Sequence, residues 1–219
     1  GRDPIVLLKD FLSISSSIEL GILRLLSVAR NDDTYKTIFD LSRETGEQKM
    51  KGYVQVYTGN GKGKTTASLG LAIRAAGAGL KVYIVQFLKK GDYSEIKAPS
   101  KFENITVEQF GLGKFVRGNP TQEDKAAGAL GYRRLCDLLK KNEHDMVIAE
   151  EGNVAVMCKL FSEAELLALM DMKPDNMELV ITGRGATQSV MDRADLVTEM
   201  MEVKHYYKQG VAARVGIEK

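Results

Sequence analysis

The sequence predicts an α/β fold in which helices cover a mainly parallel sheet. Three observations lead there. From Lys51 onward, short β-branched and aromatic runs alternate with helix-like stretches, the pattern of right-handed βαβ units. A glycine-rich loop carrying lysines and threonines joins the first such run to the first helix. The chain has 219 residues, 44% hydrophobic and 27% charged, which suits one ordinary folded domain with little room for a second.

Taken in order, Tyr53–Thr58 is the first strand, ending in glycines, and Thr65–Ala76, rich in Ala and Leu, is the first helix. Lys81–Leu88 (KVYIVQFL) is almost entirely apolar and is expected to be a buried strand. Ile105–Phe110 is a third strand. Thr121–Lys141 is a helix with Tyr132, Leu135, Leu138 and Leu139 as its core stripe. Asp145–Glu151 (DMVIAEE) returns to strand. Ser162–Met172 is a helix opened by a capping box of Ser162 with Glu165. Glu178–Arg184 (ELVITGR) is a strand, Gln188–Ala194 a short helix, and Leu196–Val203 a last strand. No internal repeat is present.

Residues 1–49 read differently, so the chain divides into an N-terminal extension, 1–49, and a main domain, 50–219. Gly1-Arg2-Asp3-Pro4 looks like a remnant of an expression-vector leader and is set aside. An apolar run, Ile5–Ile14, is broken by Lys9-Asp10. The serines at 15–17 can cap a helix over Ile18–Ala29, with Ile18, Ile22, Leu25, Leu26 and Ala29 on one face. Tyr35–Leu41 suits another short helix. The extension lacks the basic region and small-residue cleavage site of a secretory signal. It is expected to be peripheral, docking its apolar stripe on the domain or on a partner subunit.

Charge and cysteine content exclude several classes. Thirty-one Lys+Arg against 29 Asp+Glu leave a net charge of +2, which gives no electrostatic reason to expect a nucleic-acid partner. No apolar run approaches the roughly 18 residues of a membrane span, so no membrane is expected. Two cysteines, Cys136 and Cys158, make neither a disulfide framework nor a zinc site and suit a reducing, cytoplasmic setting.

The strongest local signal is Gly59-Asn60-Gly61-Lys62-Gly63-Lys64-Thr65-Thr66, set between the first strand and its helix. Glycines let the backbone turn N–H groups around anionic oxygens without a side-chain clash. The helix that follows presents its positive end to the same charge. Lys64 supplies a mobile cation, and the Thr65 hydroxyl sits where a Mg²⁺ ligand belongs. The pattern is GxxxxGK[ST] with one departure: Thr58 stands five before Gly63, and the nearest glycine is Gly59. The loop is thus one residue tighter than the common form. A nucleoside triphosphate site is expected, and with it a three-layer sandwich of the P-loop NTPase type, RecA-like.

Such a site needs a carboxylate for its metal at the end of a neighbouring strand. Glu150-Glu151 closes DMVIAEE in that place, with Glu150 where an aspartate is usual. Strand residues alternate in facing, so only one of the two can point at the metal; a solvated strand end is the other interpretation. Thr182-Gly183-Arg184-Gly185 closes the next strand on the same edge, where open α/β sheets bind ligands. Arg184 is either a fork for phosphate oxygens or an exposed arginine in a glycine turn. His144 and the Lys204-His205 pair are weaker candidates, and no Ser-His-Asp or Cys-His set is visible.

The segments TGNGKGKTTASLGLAIRAAGAG, VYIVQFLK, ITGRG and ADLVTEM…VKHYYKQGVAARVGIE resemble the ATP:corrinoid adenosyltransferase family of the P-loop type. The resemblance runs from about Lys51 to Lys219 and leaves 1–49 unmatched. It implies transfer of the 5′-deoxyadenosyl group of ATP to Co(I) of a reduced corrinoid (cobalamin or cobinamide), with release of triphosphate. The protein then need not supply a nucleophile. Lys64, Arg184 and Glu150 would be catalytic; Gly59, Asn60, Gly61, Lys62, Gly63, Lys64, Thr65 and Thr66 would hold the phosphates. Such enzymes bind ATP in the reverse sense to ordinary P-loop NTPases, which suits the tightened loop. Thr65 and Glu151 match the family's ligands for Mg²⁺ (or Mn²⁺), while Glu150 and Gly152 depart from its usual Asp-Glu-apolar sequence. Phe115 is the one aromatic between Gly111 and Asn119 and is the candidate to close the lower corrinoid face; a plain core role is equally open to it. The resemblance further implies a homodimer and an electron donor such as flavodoxin or a flavin reductase. Two alternatives from other classes are a regulatory ATP-binding or ATPase module and a small-molecule kinase. A kinase of the thymidine type usually carries a cysteine-rich zinc lobe, which two cysteines cannot make.

Overall fold

Apolar runs with no polar alternation need cover on both faces, and the structure supplies it. A computed structural model describes residues 51–218 apart from Asp92, Phe115 and Arg117. The expectations for residues 1–49 and for Phe115 lie outside the described residues. The order is β1 (Val54–Thr58), α1 (Lys64–Gly77), β2 (Val82–Phe87), α2 (Ser94–Lys97), β3 (Ile105–Phe110) and α3 (Gln122–Lys141). There follow β4 (Met146–Glu150), α4 (Gly152–Met157), α5 (Glu163–Met172), β5 (Glu178–Thr182), α6 (Gln188–Arg193) and β6 (Leu196–Glu199). Single 3₁₀ turns lie at Pro99–Lys101 and Tyr206–Gln209.

The sheet runs β3-β2-β4-β5-β1-β6, and its strand pairings are all parallel. Strand parity sorts the core into two layers. Tyr83, Val85, Phe87, Val147, Ala149, Leu179 and Ile181 pack with Leu135, Leu138 and Leu139 of α3 and Leu166, Leu169 and Met170 of α5. Val82, Ile84, Met146, Ile148 and Val180 face the other way, against Ala72, Ala75 and Ala76 of α1. Small alanines let α1 lie close across the middle strands. The result is a helix–sheet–helix sandwich.

Local signals act as expected where they are strong. Ser162 accepts from Glu165 N–H and Glu165 reaches back to Ser162, completing the capping box of α5. Thr121 and Asp124 do the same for α3, which stops at Asn142 in the left-handed region. Two departures matter for the site. The last strand ends at Glu199 rather than Val203, because the Met200 carbonyl turns to accept from Gly61 N–H at 2.6 Å. The short helix α4 follows β4 directly, begun by Glu151 at φ 59°. Among the described residues no helix is long and apolar enough to cross a membrane.

Ile148 is fully buried at the centre of the α1-facing layer. Ile148→Ala should lower unfolding free energy by about 2–5 kcal/mol, the usual loss for a large core truncation. Leu130→Ala, at a side chain 52% exposed, should stay within about 0.5 kcal/mol. Urea unfolding of the two variants checks both values.

Candidate functional site

The carboxyl ends of β1, β2, β4, β5 and β6 meet at one edge of the sheet. They open into a cleft of about 750 Å³, a volume suited to a nucleotide. Its floor is the loop 60–63, while Gly59, expected among the binding residues, is not part of the lining. Gly59 takes φ 93°, and a Cβ there would stand 2.4 Å from the Met200 carbonyl oxygen, so no other residue fits without displacing the segment after β6. The loop delivers the chain to α1, whose N-cap, Gly63, makes no side-chain cap and whose first turn holds no acid. Its leading amides and dipole are therefore open to an anion.

Lys64 lies beneath this loop, 9% exposed, and donates to the carbonyls of Gly59 and Gly61 at 2.7 Å each. Burial pulls its ammonium below the ordinary lysine value, with Glu151 opposing that shift and Arg184 adding to it. The Thr65 hydroxyl donates to Glu150 Oε1 at 2.6 Å. Parity explains the encounter: Glu150 shares the face of Met146 and Ile148, which is the face α1 covers. Glu150 is 0% exposed, and its second oxygen, Oε2, is buried without a hydrogen-bond partner.

Glu151 reaches the same cleft by a different route. Its left-handed backbone turns the chain out of the strand, and its N–H donates to Thr182 Oγ1 at 3.0 Å. Burial raises its carboxyl to about 7, the charge of Glu150 adds to this, and Lys89, Lys64 and Arg184 oppose it. So both carboxylates belong to the site, one as the last strand residue and one as the first residue beyond. Arg184 stands exposed at the cleft wall, after Gly183 at φ 125°.

The structure brings Asn60, Gly61, Lys62, Gly63, Lys64, Thr65, Thr66, Glu151 and Arg184 to the cleft lining, with Glu150 directly behind Thr65. Lys62 is turned aside, donating to the Ile217 carbonyl at 3.0 Å. His205 also lines the cleft, but its Nδ1 accepts from Tyr207 N–H and caps the 3₁₀ turn. Residues flanking Phe115, Lys114 and Val116, line a small apolar hollow with Leu88, Phe110, Leu112 and Leu160. Lys89, Glu95 and the stretch Gly216–Glu218 line the cleft without having been singled out from the sequence. The signal for Lys89 was its place just past a buried strand, on the edge where the other strands end.

Chemically, the cleft offers amides, a helix terminus and the cations of Lys64 and Arg184 to a polyphosphate. It offers a hydroxyl and two carboxylates to a hard cation. A family model described as ATP:corrinoid adenosyltransferase BtuR/CobO/CobP matches residues 50–218. The corrinoid adenosyltransferase CobA of Salmonella typhimurium is 33% identical over 181 residues, covering 81% of this chain and 90% of its own. A corrinoid adenosyltransferase of Pseudomonas aeruginosa is 33% identical over 170 residues, with coverages of 77% and 84%. One from Sinorhizobium sp. is 32% identical over 202 residues, with coverages of 87% and 94%. The chain belongs to the ATP:corrinoid adenosyltransferase family, enzymes that transfer an adenosyl group to a corrinoid.

Gly59→Ala forces an L-residue into positive φ, at a cost of about 1–2 kcal/mol, besides the clash with Met200. Thermal unfolding should show at least that loss, and calorimetric titration should show weaker ATP binding.

Proposed function

We propose that ATP lies in the cleft with its triphosphate in the loop 59–66, and that this triphosphate is the leaving group of the adenosyl transfer. The observation that carries the proposal is the junction of Lys64, Thr65 and Glu150 behind the glycine loop, in a chain of this family. Co(I) of the reduced corrinoid substrate donates its electron pair to C5′. The C5′–O bond breaks, and its electrons leave on the triphosphate. No protein nucleophile is called for, so the protein's work is to orient C5′ and to receive charge. Lys64 and Arg184 stand where they would take up that charge, and the α1 terminus adds its dipole.

Magnesium, or manganese, fits the donor set. Thr65 and Glu151 would hold it with Glu150 hydrogen-bonded behind. All are hard oxygen donors, and the unpartnered Glu150 Oε2 is a further acceptor at the same place. Among the described residues no group of three His, Cys, Asp or Glu stands together, so substrate phosphates would complete the shell. When bound, the cation neutralises phosphate charge. Glu150 in place of aspartate brings one more methylene into this arrangement. The three layers, the parallel sheet and the position of the glycine loop support a P-loop NTPase-type, RecA-like assignment. A homodimer, a cytoplasmic setting and an electron donor such as flavodoxin or a flavin reductase belong to the same proposal.

With a strong reductant present, cobalamin and ATP should convert to the cobalt–alkyl spectrum only when the protein is added. Corrinoid-independent ADP production in place of that change would indicate an ATPase or kinase. Lys64→Ala should cut turnover by about 10²–10³-fold. Glu151→Ala should raise the magnesium concentration needed for half-maximal rate by about tenfold or more. An unchanged magnesium requirement would remove Glu151 from the metal site.

A further inference from the structure

Strand β2 does not simply stop. After Phe87 the chain makes a tight three-residue turn in which Lys89 N–H donates to the Phe87 carbonyl at 2.7 Å, with Leu88 at φ 63°. A leucine at positive φ is a rare and strained conformation, kept only where surrounding structure holds it. Here the surroundings do so from two sides. Leu88 N–H donates to the Phe110 carbonyl at 3.1 Å. Behind the turn, a Cβ at Gly111 would lie 2.4 Å from the Leu88 carbonyl carbon and 2.6 Å from Lys89 N. Only a glycine lets the end of β3 support the turn so closely.

The turn sends the Lys89 side chain over the sheet edge, where it bridges two acids. Its ammonium lies 3.4 Å from Glu150 Oε1 and 3.5 Å from Glu95 Oε1. Glu150 Oε1 is the oxygen that accepts from Thr65, so Lys89 and Thr65 share one acceptor. Among the described residues Lys89 is the cation within ion-pair distance of this buried carboxylate, since Lys64 is turned to the loop carbonyls. Burial works to lower the Lys89 pKa, but Glu150, Glu151 and Glu95 together outweigh it and hold it above the ordinary lysine value.

We propose that Lys89 is a positioning residue of the nucleotide–metal site, projected by the strained turn at Leu88 to hold the Glu150 side chain in place as the partner of Thr65. It acts through Glu150, and Glu95 in turn steadies the ammonium. This rests on the assignment of the divalent cation to Thr65 and the neighbouring carboxylates made above.

The test uses the full chain with ATP and Mn²⁺, reading bound metal by the loss of the free Mn²⁺ electron-spin signal, in excess over ATP alone. Lys89→Met should weaken Mn²⁺ binding about tenfold, and Lys89→Arg should recover it to within about threefold by restoring the charge. Glu95→Gln, which leaves the lysine but frees it on one side, should weaken it by about threefold. ATP binding in EDTA should fall less than Mn²⁺ affinity does. Equal Mn²⁺ affinities in wild type and Lys89→Met overturn the proposal. Tighter binding in the variant also overturns it, since Lys89 would then be a competitor of the metal. A loss of metal-free ATP binding as large as the metal effect makes Lys89 a phosphate ligand instead. If Lys89→Met does not fold, Lys89→Gln and Glu95→Gln decide by the same comparison. A wild-type chain that binds no Mn²⁺ with ATP overturns the metal assignment itself and this proposal with it.

Discussion

A carboxylate buried at the end of a central strand governs how the rest of the site is arranged. Glu150 has no exposed surface, and the effective penalty for burying such an ion is several kcal/mol even after relaxation. The short bond from Thr65, 2.6 Å, is charge-assisted, and bonds of that kind contribute about 1.5–3 kcal/mol. One such bond does not offset the burial. The structure adds the Lys89 ion pair, and Glu150 Oε2 still lacks a partner. On the proposed assignment, a divalent cation at Thr65 and Glu151 would supply the positive charge that this balance lacks.

The sheet makes this convergence possible. Parallel strands bring their carboxyl ends to a single edge, so residues far apart in sequence, Gly59, Lys89, Glu150, Arg184 and Met200, become neighbours without long side-chain reach. The segment after β6 then locks the loop. Met200 accepts from Gly61, and the Ile217 carbonyl accepts from Lys62. Glu218 is fastened in turn by Arg214 and Tyr206, whose hydrogen bonds hold its carboxyl down at about 2. The glycines at 59 and 61 therefore answer the demand for close backbone approach, since a Cβ at either would meet the Met200 carbonyl oxygen at 2.4 or 2.7 Å.

Much of this was legible in the sequence, and the reasons are specific. Strands buried on both faces announce themselves as unbroken apolar runs, and Ser162 with Glu165 marks a helix start by chemistry that depends on nothing distant. The glycine loop declared itself by residue type and spacing. Parity along Met146, Ile148 and Glu150 also assigns Glu150 to the α1 face once the side that α1 covers is known, which needs the tertiary structure. Glu151 was harder, because its left-handed backbone breaks the alternation that strand reasoning assumes. Lys89 was hidden for the same physical reason: leucine has no local preference for the positive φ that aims the lysine, and Gly111, which permits it, lies far along the chain at the end of β3. The short helix α4 is likewise set by a turn rather than by its own periodicity.

The most direct test of the central claim follows phosphorus rather than cobalt. The loop is taken to hold the whole triphosphate as a leaving group, so the bond broken must lie between C5′ and the α-phosphate oxygen. ³¹P NMR of a reaction with reduced corrinoid, ATP and Mg²⁺ should show intact triphosphate accumulating one-for-one with the cobalt–alkyl product. ADP with inorganic phosphate, or AMP with pyrophosphate, as the product matched to turnover would contradict the account at its root.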